Sequence, residues 1–268
     1  MKIAVIGSGI SGNIAAYYLS RRHDVTLFEK RDRLGGHSAT VDIDYHHPDD
    51  RMCVDTGFIV YNELNYPGLT RLFAELGVET EQSNMSFGFS ANSGALEWSG
   101  QSLSSVFAQK RNLLNPFFWR MLRDIFRFNK AAAIDHEAGL LGDETLGEWL
   151  DRCGFSKSFR NRYLLPMGAA IWSTPASEIE AFPARNFLHF FYNHRLIHSD
   201  RPKWRTVRGG SREYVKKLSA ASAARTILNA QVTSVERHDN KVFVRANGLE
   251  KAFDQVVFAT HSDQALAA

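Results

Sequence analysis

Three glycines, Gly7, Gly9 and Gly12, stand in the spacing GxGxxG, and an acid, Glu29, follows 22 positions after the first of them. Those residue types at that spacing suit the binding of a dinucleotide. The first glycine permits a tight turn, the second lets a pyrophosphate approach the backbone, and the third lets a helix pack closely on the turn. Exposed N–H groups over residues 7–12, those of Ile10 and Ser11 included, then meet the phosphates at the positive end of a helix. Glu29 would accept hydrogen bonds from the adenosine ribose hydroxyls, and its charge would repel a 2′-phosphate, which argues against NADP.

This chemistry requires the glycines to join a strand to a helix, with the acid closing a second strand. Residues 3–6 are a continuous β-branched apolar run of the kind found in a parallel strand covered on both faces. Residues 13–22 carry Ala15, Ala16, Tyr18 and Leu19 at helical spacing, and residues 25–28 form the second strand. The unit is about 30 residues long, the size of a βαβ motif. Residues 38–62 alternate around the turn-rich HHPDD and predict a strand pair, followed by a helix over residues 67–76. Residues 85–90 and 95–98 read as short strands before a long helical, aromatic stretch that reaches His198. The parallel-sheet pattern returns with strand candidates at 231–239, 241–246 and 253–260, Asp239 and Asn240 making a hairpin turn between the first two, so the middle of the chain reads as an insertion.

The residues after the second strand, FEKRDRLGGHSAT at 28–40, extend the nucleotide site. Here the chain resembles the superfamily of monoamine and polyamine oxidases, protoporphyrinogen oxidase and phytoene desaturases, in which an RxGG element lies against FAD. Arg33, Leu34, Gly35 and Gly36 match that element. The adjacent glycines let the backbone pass close to a bulky cofactor, and Arg31 and Arg33, beside Lys30, can offset phosphate charge. VDTGFIVYN at 54–62 is similar to a second contact segment, which would bring Gly57 and Phe58 near the flavin. RGGSREYVKKL at 208–218 resembles the return from a substrate lobe, Val232 matches the residue whose backbone meets adenine, and VVFATH at 256–261 is similar to the strand before a second excursion. Many members carry Arg after the paired glycines, whereas this chain has His37. Members also continue with further substrate domain and a last glycine-containing flavin segment, so the resemblance covers their N-terminal part.

The resemblance implies an α/β fold: an FAD-binding Rossmann-like domain with a parallel central sheet, formed by 1–82 and 206–268, and an inserted, mostly helical α+β substrate domain over 83–205. It implies an FAD-dependent oxidoreductase that removes hydride from a C–N or C–C bond of an amine or an apolar, lipid-like small molecule. Two other readings stand beside it: an FAD- or ADP-binding protein without turnover, shortened or dependent on a partner, and a non-redox flavoprotein similar to UDP-galactopyranose mutase. No Ser-His-Asp set or carboxylate pair is evident, and flavin chemistry requires none, so the catalytic residues are unassigned.

Within the insertion, Phe117, Phe118, Met121, Leu122, Ile125 and Phe126 read as one apolar helical face, with Arg120, Arg123, Arg127 and Lys130 on another. Such a helix suits peripheral membrane contact through 115–130 or a greasy substrate entrance; its plainer reading is apolar side in, arginines out. Met167 and Trp172 suit a pocket lining or a core. His194 and His198 share helical metal-ligand spacing, but no acid stands nearby and no metal is expected. The 32 Lys and Arg against 29 Asp and Glu give no basic excess calling for a nucleic acid. Cys53 and Cys153, far apart and outside any metal pattern, suit a reducing cytoplasm.

Overall fold

A computed structural model of the protein describes residues 1–44, 51–198, 200 and 202–268. The chain forms two compact units, one from residues 1–83 and 204–268 and the other from residues 84–203. The first unit opens with β1 (Lys2–Ile6), α1 (Ile10–Leu19) and β2 (Asp24–Phe28). The hairpin β3 (Thr40–Asp44) and β4 (Arg51–Asp55) follows, then β5 (Tyr61–Asn62), α2 (Pro67–Glu75) and β6 (Thr80–Gln82). The expected HHPDD turn lies outside the described residues.

The second unit runs from β7 (Gly88–Ala91) and β8 (Leu96–Ser99) into helices. These are α3 (Leu103–Val106), α4 (Pro116–Glu137), α5 (Leu146–Arg152), α6 (Lys157–Phe159), α7 (Leu165–Trp172), α8 (Ala176–Ile179) and α9 (Ala184–Asn193). A 3₁₀ turn (Lys110–Leu114) precedes α4, and a π turn (Arg160–Leu164) joins α6 to α7. The chain then returns to the first unit as β9 (Trp204–Val207), α10 (Arg212–Ala221), β10 (Arg225–Ile227), β11 (Val232–His238), β12 (Lys241–Ala246), β13 (Leu249–Phe253), β14 (Gln255–Phe258) and α11 (Ser262–Leu266).

The central sheet is parallel, in the order β10-β2-β1-β14. β1 reads as an unbroken apolar run over residues 3–6 because both of its faces are covered. Ile3, Val5, Val25 and Leu27 pack with Ala16 of α1 on one side. Ala4, Ile6 and Phe28 meet Val242, Val244, Ala246 and Phe253 on the other. That second cover corrects the sequence reading: residues 231–246 do not extend the parallel sheet but form a separate antiparallel one, β11-β12-β13. Asp239 and Asn240, with φ of 51° and 58°, make the tight turn between its first two strands. Asn247 and Gly248, with φ of 51° and 73°, make the next. This Asn-Gly pair was the signal for β13, which the strand pattern alone does not show. The first predicted strand of the insertion is also shorter than expected, starting at Gly88 rather than Met85.

The second unit is built on aromatic packing. Phe128 of α4 is fully buried against Trp149, Phe155, Phe159 and Phe191. Asn115 caps α4 through its side chain, and Pro116 occupies the first turn, where a missing N–H costs nothing. The expected apolar face of this helix is only half right. Phe118, Met121, Phe128 and Ala132 point inward, whereas Phe117 and Phe126 are exposed, 64% and 75% respectively. Met167 and Trp172 pack onto the core, Trp172 against Phe187 and Phe190. α9 ends at Asn193, so His194 and His198 do not share a helical face.

The strand-to-helix turn of the first unit is tight at one point. A Cβ on Gly12 would stand 1.8 Å from the Gly7 carbonyl oxygen. Gly12→Ala is therefore expected to lower unfolding stability by about 3 kcal/mol, the upper end for forced overpacking. At Gly9, φ is −62° and a Cβ would meet nothing within 4 Å, so Gly9→Ala is expected to leave stability within about 1 kcal/mol of the parent. Denaturant titration of both variants measures the difference; equal losses would refute it.

Candidate nucleotide-binding site

A cavity of about 1060 Å³ opens in the first unit where the C-terminal ends of β1 and β2 meet the start of α1. Such a position, outside the carboxyl ends of parallel strands, is where open α/β sheets take their ligands. Gly7, Gly9, Ile10 and Ser11 form one wall. Gly9 is the residue before the helix, and it has no side chain to cap the first-turn N–H groups. Those N–H groups have no acceptor inside the helix and face the space a ligand would fill. Gly12 stands behind the loop and does not line the cavity.

Glu29 closes β2 and is buried. Its Oε2 accepts from the Ser8 N–H at 3.0 Å and from the Ser8 hydroxyl, and its Oε1 accepts from the Arg31 N–H at 2.9 Å. Burial disfavours the ionised form, but the Ser8 hydroxyl and the two backbone N–H groups outweigh it and hold this carboxyl below the usual range. Ser8 is the residue the sequence reading missed. It occupies the first variable position of GxGxxG, where a small side chain with a donor was the available signal. Asn13, also buried, holds the same loop by donating to the Ser8 carbonyl and to the Gly9 carbonyl at 3.2 Å.

The segment after β2 folds back onto this loop. The Gly35 N–H donates to the Ser8 carbonyl at 2.9 Å, and a Cβ on Gly36 would stand 3.0 Å from the Gly9 Cα. Lys30, Arg31, Gly35, Gly36 and His37 all line the cavity. Arg33 does not. Its guanidinium donates to the carbonyls of Leu34 and Gly36, at 3.4 and 3.0 Å, so it braces the turn instead of offering charge to a ligand there. This corrects the expectation that Arg31 and Arg33 act alike.

Gly57 and Phe58 reach the cavity from the segment after β4. The approach is close: a Cβ on Gly57 would lie 2.3 Å from the His37 carbonyl oxygen, which accepts the Phe58 N–H at 3.2 Å. Asp55 anchors this segment by accepting from the Ser211 N–H at 2.8 Å, the Ser211 hydroxyl at 2.7 Å and the Thr40 hydroxyl at 2.6 Å. The RGGS motif thus has a positioning task, since Ser211 follows Gly209 and Gly210 and begins α10. Val232, at the start of β11, lines the far end with Ala230 and Gln231. A second residue that the sequence reading did not assign to the site is His261, the last of VVFATH. It follows β14, lines the cavity, and stacks on His37 with ring centroids 5.6 Å apart.

Cys153 is a free thiol, and the Cys53 thiol donates to the Asp42 carboxylate at 3.3 Å. Among the described residues no group of His, Cys, Asp and Glu is arranged to hold a metal, and no helix is long and apolar enough to cross a membrane.

The chain resembles known proteins over nearly its whole length. A candidate flavin-containing monoamine oxidase of Mycobacterium tuberculosis, AofH, is 26% identical over 255 residues, which cover 91% of this chain and 53% of that protein. Prenylcysteine oxidase 1 of Mus musculus is 25% identical over 289 residues, covering 98% of this chain and 53% of the relative. The chain thus spans about half the length of the curated relatives it matches. Cyclohexylamine oxidase from Brevibacterium oxydans shares the fold, with a TM-score of 0.71 at 19% identity over 97% of this chain and 57% of that one. The model of the flavin-containing amine oxidoreductases matches residues 10–266, and this chain belongs to that family.

Proposed function

We propose that this chain binds FAD in the cavity of its first unit and forms part of an oxidoreductase that removes hydride from a C–N or C–C bond of an amine or a lipid-like small molecule. The observation that carries the reading is the convergence of the residue 7–12 loop, Glu29, the Gly35 and Gly36 turn, Gly57 and Val232 on one cavity. The fit to a dinucleotide is physical. Gly9 leaves its side open where a phosphate must approach, and the unpaired N–H groups of α1 supply donors. Glu29 has used three of the roughly four acceptor positions of a carboxylate, so one is left for a ribose hydroxyl. The 1–82 and 206–268 segments are the cofactor domain in this reading, and 83–205 supplies the substrate side.

Bound FAD would supply the electron acceptor. The chain's own residues bind and orient it. The loop N–H groups and Arg31 hold the phosphates, Glu29 fixes the ribose, and the backbone at Val232 meets the adenine. Gly36, His37, Gly57 and Phe58 flank the remaining length. The spare use of cysteine, two residues 100 positions apart and outside any metal pattern, supports a reducing, cytoplasmic setting.

The direct test is the visible spectrum of the purified chain after addition of FAD and gel filtration. A flavin band near one equivalent is expected, and a colourless protein would refute binding. Gly9→Ala, the variant expected to keep its stability, should lose at least about tenfold in FAD affinity because its methyl group enters the phosphate space. A stable Gly9→Ala protein that still binds FAD as the parent does would remove the loop from the site.

Glu29 gives a pH-dependent expectation. Its carboxyl is held below the usual range, so its contribution is complete above the ordinary glutamate pKa of about 4.3 and is lost as pH falls through the lower folded value. FAD followed by fluorescence should accordingly stay bound at pH 5 and leave only under more acid conditions. Glu29→Gln should weaken binding about tenfold or more at pH 7, the scale of a charged hydrogen bond. Release beginning near pH 6, or an unaffected Gln variant, would argue against the assigned role.

His37 follows the glycine that touches Gly9, so a fixed cation there should act on the phosphates. His37→Arg is expected to tighten FAD binding about fivefold at pH 8 in low salt, the value of one unit charge at short range in water. Titration by flavin fluorescence reads this, and weaker binding would place His37 away from the phosphates.

A further inference from the structure

The second unit carries a surface that its core does not use. The outer side of α4 presents Trp119, Arg123, Phe126, Lys130 and Ile134 at successive helical spacings, all exposed. Two large apolar residues before the helix extend it: Leu114 is 90% exposed, and the neighbouring Leu113 carbonyl accepts the Trp119 indole N–H at 2.9 Å. A buried core does not explain them, because Phe118, Met121, Phe128 and Ala132 already supply the inward face.

The charge of this surface is one-sided. Residues 103–137 contain six Lys and Arg and three acids; Asp135 and Glu137 stand at the end of α4 and accept from the Trp149 indole N–H and the Tyr192 hydroxyl, which leaves Asp124. That acid is buried and committed, accepting from Arg127 at 2.7 Å and from the Ser156 N–H at 3.1 Å. Burial disfavours its ionised form, but these bonds outweigh that and keep it charged. Arg120, Arg123 and Lys130 have no salt bridge among the described residues. The exposed aromatic rings are costly to leave in water while the cations between them are well hydrated, a combination that suits the boundary between lipid headgroups and acyl chains. There Trp and Phe enter the apolar side while Arg and Lys reach phosphate.

We propose that the outer face of α4, together with the turn at Leu113 and Leu114, docks on an anionic lipid surface. The proposal does not depend on flavin binding, and its test leaves that reading untouched. The full chain is sedimented with vesicles of phosphatidylcholine containing about a third phosphatidylglycerol, and with phosphatidylcholine alone. Binding is expected only to the anionic vesicles and should fall as salt is raised. The triple variant Arg120→Ala, Arg123→Ala, Lys130→Ala should weaken it on the order of a hundredfold, and Leu114→Ser with Phe126→Ser by about tenfold or more. All five positions are exposed, and circular dichroism checks that both variants fold. Equal binding to neutral vesicles, no binding at low salt, or full binding by the triple variant would overturn the proposal. So would a dimer in solution that Phe126→Ser abolishes, since a second copy would then own the face.

Discussion

The first unit depends on a carboxylate that is buried and still charged. Removing an ionised group from water costs several kcal/mol unless donors replace the solvent. At Glu29 the replacements are the Ser8 N–H, the Ser8 hydroxyl and the Arg31 N–H. Two of the three come from the loop between β1 and α1, so neutralising the charge also fixes the loop. The loop fixes the next segment in turn, because the Ser8 carbonyl accepts the Gly35 N–H and Gly36 presses on Gly9. His37, carried by that turn, receives the segment of Gly57 and Phe58. A cavity wall made from three stretches distant in sequence is therefore one hydrogen-bonded sequence of contacts that starts at a single acid.

The sequence showed the parts of this arrangement that rest on backbone geometry. Gly7 and Gly12 were legible because a methyl group there would stand 2.7 and 1.8 Å from a carbonyl oxygen, and Gly9 because its open side suits an approaching phosphate. β1 was legible because a strand covered on both faces is apolar along its buried length, and β2 because Val25, Leu27 and Phe28 keep most of that pattern. What escaped rests on side chains that reach across the fold. Ser8 and Asn13 look like ordinary polar loop residues until their partners are placed. His261 lies more than 200 positions from the ring it stacks on. Arg33 looked like a ligand for phosphate, and only the structure shows its guanidinium spent on the carbonyls of its own turn.

Helical periodicity failed in a different way at α4. The window of residues 117–126 contains enough apolar residues to fill more than one face, and a pattern reading assigns them all inward. The core has room for those near Phe118, Met121 and Phe128, and the rest are left outside with the arginines. A sequence window reports how much apolar surface a helix has, but not how wide a stripe its neighbours can cover. The same limit hid β9 and β10, three or four residues long, whose place is decided by the strands they pair with.

The insertion of 120 residues into the first unit is consistent with its stability for a reason of chain statistics. Loop-closure entropy grows only with the logarithm of length, about 0.6 kcal/mol for each doubling, so replacing a short turn by a whole folded unit costs little beyond the turn itself. What matters is that the two ends meet in a place the first unit already orders. They do: the Ser83 N–H donates to the Trp204 carbonyl at 2.9 Å, and β9 pairs with both β5 and β6. The ladder that receives the returning strand is small, but it sits on a core containing Tyr61, Phe73, Val207 and Tyr214. The junction is thus held by packing as well as hydrogen bonds, and the inserted unit is free to carry an aromatic core of its own without taking any residue from the sheet that shapes the cavity.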